Sequence, residues 1–146
     1  MSKYFFLLIC VLPLLAVSVV TKDDTAKASE NTEKQDLRNS MLGAWVLMGK
    51  PGATEEPKKG ARMKFWGHKH WVVTQSDPET GVVIIHHGGT YTLDGDKYVE
   101  TVTFANENLK EGLGKELRFK IEVEGDTYRQ FADGNPFTEE WRRLKD

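Results

Sequence analysis

Cysteine is almost missing from this chain. Among 146 residues there is one, Cys10, so no pair exists to form an intrachain disulfide. Any fold must hold by packing and hydrogen bonding. Catalytic signatures are missing too: no G-x-S-x-G turn, no P-loop and no H-E-x-x-H helix occurs. Beyond the apolar start of the chain there is no thiol nucleophile, and no cofactor fingerprint. The reading is therefore of a protein that is not an enzyme and carries no cofactor. A basic excess is also absent, with 20 Lys and Arg against 22 Asp and Glu. That balance lacks the footprint of a nucleic-acid binder.

Only one apolar run is long. Residues 4–20 hold no charge, follow Lys3 and are interrupted by Pro13. The run falls short of the roughly 20 residues of a membrane span and has the layout of a secretory signal, with small residues Ala16 and Ser18 placed for cleavage. Cys10 lies inside this run rather than after it, and Ile9 before it is not small, which excludes lipoprotein processing. Residues 1–22 are read as a signal peptide, or as an N-terminal membrane anchor if left uncleaved. The expected location is exported, periplasmic or extracellular. Removing residues 1–22 leaves a net charge of about −4. Residues 23–40 form a polar tether ending in a helical turn over 36–42 with Leu37 and Met41 on one side, stopped by Gly43. Residues 41–146 form one domain.

Within that domain the period is two, not 3.6. In residues 115–124, Leu117, Phe119, Ile121 and Val123 alternate with charged residues. Such alternation puts one face in a core and one in water, as an antiparallel sheet allows. Turns recur at short spacing. Asp94-Gly95-Asp96 links 90–93 to 97–105, and Gly125-Asp126 links 115–124 to 127–131. Residues 77–81 link 70–76 to 82–87, Gly67-His68-Lys69 follows a strand over 61–66, and the last strand covers 137–144. Longer loops span 51–60 and 106–114. The fold class is all-β, a small antiparallel up-and-down barrel of about eight or nine strands whose closure removes exposed edges.

Such a barrel is just wide enough to be filled by side chains or to hold one small ligand. Alternation points Trp45, Met63, Phe65, Val72, Leu93, Val102 and Trp141 inward. The ligand-contact candidates are Phe65, Trp66, Trp71, Tyr91, Phe104 and Phe119, with Trp66 and Trp71 near one mouth. A turn centred on Pro78-Glu79 sets His70 opposite His87, two weak metal-ligand candidates that need a third ligand such as Asp133 or Glu100; no metal site is assigned. Glu139 and Glu140 face opposite ways and cannot act as a pair. A mixed pair, His87 with Glu100, is the one constellation with catalytic chemistry.

Gly43-Ala44-Trp45 is a G-x-W element, residues 88–98 read GGTYTLDGDKY, and the last strand carries Glu139-Glu140-Trp141-Arg142-Arg143. In that order these elements resemble secreted bacterial lipocalin-like domains of unknown function, barrels of calycin type, over about residues 41–145. The resemblance implies that Gly43, Trp45, Trp141 and Arg143 are a structural signature, with Arg143, or alternatively Arg142, lying over Trp45 at a closed end. It also implies that the 51–60 loop acts as a lid. The chain lacks the C-terminal helix of larger lipocalins, so retinoid or pheromone transport is not implied. The expected function is an exported lipocalin-like protein binding a small apolar ligand. The alternatives are a filled barrel serving as a cell-envelope interaction or structural module, and an enzyme with a site at the barrel mouth. A membrane enters only through an uncleaved N-terminal segment, and the oligomeric state stays open.

Overall fold

The structure is a computed structural model that describes residues 36–145. The expected signal or anchor over 1–22, and the expected tether as far as residue 35, lie outside the described residues. A short helix, α1, covers residues 36–41. Eight strands follow: β1 (Gly43–Gly49), β2 (Met63–Trp66), β3 (His70–Ser76), β4 (Val83–Asp94), β5 (Lys97–Ala105), β6 (Glu116–Glu124), β7 (Thr127–Asp133) and β8 (Glu139–Arg143). Each pairs antiparallel with its neighbours in order, and β8 returns to β1, so the barrel closes. The loop before β6 carries a 3-10 helix, Glu107–Gly112, that the alternation did not announce.

Strand pairing follows the expected turn chemistry. The β4–β5 hairpin turns at Gly95 and the β6–β7 hairpin at Gly125, with φ of +58° and +57°. Tight hairpin turns need this left-handed backbone, which glycine adopts without a Cβ clash. β4 is one continuous strand where the sequence suggested two. Its middle glycines let neighbouring backbones close in: a Cβ on Gly89 would sit 1.9 Å from Thr101 O.

One end of the barrel is packed solid. Trp45 stands edge-on to Trp66 at 6.1 Å, and Trp66 also meets Tyr128 at 4.6 Å and Trp141 at 6.3 Å. Helix α1 covers this end. Trp45 Nε1 donates to Met41 O, and Arg143 Nη1 and Nη2 donate to Leu42 O and Ser40 O. These carbonyls at the helix C-terminus have no intrahelical partner, so the side-chain donors satisfy them. The Arg143 guanidinium lies 4.1 Å from the Trp45 ring centroid, and the two residues are register partners across β1 and β8. Such a contact contributes roughly 0.5–2 kcal/mol. Arg142 turns outward and pairs with Glu56.

Several expectations about facing are corrected. β2 presents Lys64 and Trp66 inward, and leaves Met63 half-buried and Phe65 40% exposed. β3 follows suit, burying Trp71 and Val73 rather than Val72. On β5 a bulge sets Val102 opposite Gly89 but Phe104 opposite Gly88, so one residue is skipped and Phe104 lands outside, 40% exposed and against His86. The β3–β4 register pairs His70 with Thr90 and Val73 with His87, so the two histidines are not opposite one another. The turn is centred later than Pro78-Glu79. Asp77 draws it in by accepting hydrogen bonds from the backbone N–H groups of Glu79 and Thr80, and Gly81 takes φ +74°.

Candidate functional site

Successive inward residues form layers along the barrel axis. Above the aromatic end comes a buried polar layer: Lys64 from β2, Glu100 from β5 and Gln130 from β7, each no more than 3% exposed. Lys64 Nζ donates to Glu100 Oε1 and, at 3.3 Å, to Gln130 Oε1. Aromatic rings surround the ammonium, with centroids at 4.6 Å (Trp66), 5.1 Å (Trp71), 5.6 Å (Trp141) and 5.7 Å (Tyr98). Tyr98 Oη donates to the same carboxylate oxygen at 2.8 Å and accepts from Trp66 Nε1 at 2.7 Å. Gln130 Nε2 passes the network to Glu139 Oε2 at 3.0 Å. Burial pushes the Tyr98 and Tyr128 phenols well above their ordinary range, so both stay protonated at neutral pH.

A cavity of about 430 Å³ lies above this layer, toward the end opposite α1. Trp71, Val73, Ile85, Val102, Leu117 and Phe119 supply apolar wall, and Lys64, Glu100 and Gln130 the floor. Arg62, His87 and Glu139 stand on the wall, while Asn108, Leu109 and Glu111 of the 3-10 helix, with Phe137, border the mouth. Asn106 and Asn108 hold that helix in place through side-chain hydrogen bonds to Ile84 O at 3.0 and 3.1 Å.

The polar wall is incompletely satisfied. His87 Nδ1 and Trp141 Nε1 are buried and have no hydrogen-bond partner among the described residues. Burial holds the His87 imidazole down at about 4, and the charges of Lys64, Arg62 and His86 push the same way. It is neutral at pH 7. Burial raises the Glu139 carboxyl, against the pull of Lys64 and Arg62. The Trp141 N–H helps hold that carboxyl down without reaching hydrogen-bond geometry.

Two solved structures share this architecture. A lipocalin-like protein from Bacteroides uniformis ATCC 8492 matches 72% of this chain and 99% of its own, with a TM-score of 0.53 and 16% identity. The fold is lipocalin-like. An uncharacterized protein from Bacteroides eggerthii DSM 20697 matches 71% of this chain and 99% of its own, at a TM-score of 0.52 and 16% identity. At such identity the likeness concerns the fold alone. No protein-family model and no curated protein sequence matches the chain.

In this lipocalin-like barrel the six proposed ligand contacts separate into three groups. Trp71 and Phe119 line the cavity. Trp66 and Tyr91 are buried at the α1 end, where Tyr91 Oη donates to Gly67 O and Arg38 lies 5.2 Å from its ring. The Gly67 turn therefore marks the sealed end, not an open mouth. Phe65 and Phe104 face outward. The 51–60 loop contributes nothing to the cavity lining: Gly52 N donates to Glu140 Oε2, and Glu56, Pro57 and Lys58 line a second hollow with Val46 and Met63 on the outer wall. The 3-10 helix borders the mouth instead.

His87 and Glu100 do share the cavity, but Glu100 is held by Lys64 and Tyr98. His70 is exposed, and no three metal-ligating side chains gather among the described residues. Glu139 faces the interior while Glu140 pairs with Arg129 outside, at 2.8 Å. Lys64, Arg62 and Gln130 were not singled out from the sequence. The available signal was the phase of Trp66 and Trp71, which sets Lys64 inward if both tryptophans are.

Proposed function

We propose that this chain is a small-molecule-binding barrel that takes one mostly apolar ligand in the cavity beside Trp71 and Phe119. The carrying observation is a cavity of about 430 Å³ with apolar walls and a few converging polar groups. Ligand sites run from roughly 300 to 1,000 Å³ with this kind of lining. The cavity favours binding over a filled barrel acting only as a structural module. The buried Lys64–Glu100 pair supports the same reading. Two charges taken from water gain little net stability, and a pair kept on the cavity floor supports a polar role there. The proposal is of binding and not catalysis, because Glu100 is engaged and His87 is the only imidazole on the wall.

We also propose that the protein is exported. The support is the charge-free run over residues 4–20 and the absence of cysteine after it. Fractionation of the producing cells with an epitope at the C-terminus checks this: the protein is expected outside the cytoplasm, and full retention in the cytosol contradicts it.

Native mass spectrometry of the protein purified from its own host tests the binding reading. A retained small organic mass is expected. Absence of any adduct, with no uptake of the apolar dye 1-anilinonaphthalene-8-sulfonate, overturns it.

A further inference from the structure

Of the cations that line the cavity, Lys64 is paired with Glu100 and Lys115 is exposed beside the 3-10 helix, while Arg62 stands on the wall with most of its donors unmet. Its guanidinium carries five N–H donors. Yet its closest carboxylate oxygen, Glu139 Oε1, is 3.6 Å from Nη1, and Nε reaches Gln75 Oε1 only at 3.4 Å. The first distance is an ion pair without a hydrogen bond, and the second is a weak bond. Glu139 is engaged elsewhere, since its Oε2 accepts from Gln130 Nε2 at 3.0 Å. The Arg62 side chain is 26% exposed and Glu139 14%, so the guanidinium is reachable from the cavity.

The deeper charges are closed to a ligand by comparison. Lys64 and Glu100 neutralise each other and are 2% and 3% exposed. A planar guanidinium with free parallel N–H groups matches a carboxylate in two-point fashion. An ammonium head would meet Arg62 as a like charge, and the low proton affinity of His87, set first by burial, is deepened by Lys64 and Arg62.

We propose that the ligand is an amphipathic monocarboxylate, its head seated on Arg62 and its apolar body lying along Trp71, Leu117 and Phe119. This rests on the binding reading above and adds the chemistry of the head group. Glu139 occupies the place that the ligand carboxylate takes. It withdraws toward Gln130 when the site fills.

The test uses three probes with one chain and three heads: decanoate, decanol and decylammonium. Titration of the purified protein followed by tryptophan fluorescence gives their affinities. Decanoate is expected to bind tightest, and Arg62→Gln to weaken it roughly tenfold or more, as loss of hydrogen bonds to a charged group does. Decanol binding is expected to change little in that variant. Glu139→Gln, which removes the competing carboxylate, is expected to strengthen decanoate and leave decanol alone. Decanol or decylammonium binding as tightly as decanoate in the unaltered protein overturns this inference while leaving the binding reading intact. Failure of all three probes to bind overturns both. Should Arg62→Gln misfold, the three-probe comparison on the unaltered protein still decides.

Discussion

Lys64 on β2 and Glu100 on β5 meet across the barrel interior, on strands that do not neighbour one another in the sheet. No local pattern joins residues 36 positions apart, and neither side chain reaches water. Their pairing divides the molecule into an aromatic plug beneath and a cavity above.

Cutting that pair on one side leaves a buried charge alone. Lys64→Met or Glu100→Leu alone is expected to cost about 3–5 kcal/mol, whereas the two combined are expected to recover most of that loss. Urea unfolding of the two single variants and the double variant measures it as a double-mutant cycle.

Arg143 serves the closed end twice, over the Trp45 ring and as a fork to Ser40 O and Leu42 O. Arg143→Lys keeps the charge and loses the fork. A loss of about 1–2 kcal/mol is expected, read by thermal or denaturant unfolding.

Gly89 and Gly112 are expected to respond very unequally to alanine. At Gly89 the added Cβ meets Thr101 O at 1.9 Å, while at Gly112 nothing lies within 4 Å. Gly89→Ala should destabilise by about 3 kcal/mol or more, and Gly112→Ala should stay within about 0.5 kcal/mol. Equal midpoints of unfolding would contradict the close packing of β4 on β5.

His87 makes stability depend on pH. Its folded value, about 4, lies below the ordinary 6.5, so between these values the unfolded chain binds the proton more readily. Its contribution is complete above pH 6.5 and declines as pH falls toward 4. Solvent reaches part of the ring, so about 1–2 kcal/mol is expected rather than the full conversion of the shift. Glu139, raised by burial, acts in the opposite sense, favouring the fold at low pH. The His87 part is isolated by comparing denaturant midpoints of the parent and His87→Gln between pH 7 and pH 4. The variant should lose less stability on acidification.

The fold was legible because its main signals are local. The alternation of Leu117, Phe119, Ile121 and Val123, the glycine turns at Gly95 and Gly125, and the Trp45–Arg143 signature each need only a few neighbouring residues or a known pairing. The candidate site was half legible. β2 is four residues long and has a large apolar side chain in either phase, Phe65 in one and Trp66 in the other. Hydrophobicity alone prefers the phase that exposes Lys64. The correct phase depends on Glu100, far along the chain, to neutralise the buried ammonium. Phe104 was misplaced by a bulge, which shifts facing by an unpaired residue, and the His70–His87 pairing by a turn centred later than Pro78-Glu79. The cavity left no sequence signal, since empty space follows from how the walls diverge and not from any residue pattern.

Of the four tryptophans, Trp71 and Trp141 line the cavity, while Trp45 and Trp66 lie in the plug, where Trp66 meets Trp141 edge-on. Their indole N–H signals in a 1H–15N NMR titration with decanoate report directly on where a ligand goes. Movement of the Trp71 and Trp141 signals with Trp45 and Trp66 unmoved is the predicted result. Four stationary signals, or movement led by Trp45 or Trp66, would contradict a ligand site in this barrel.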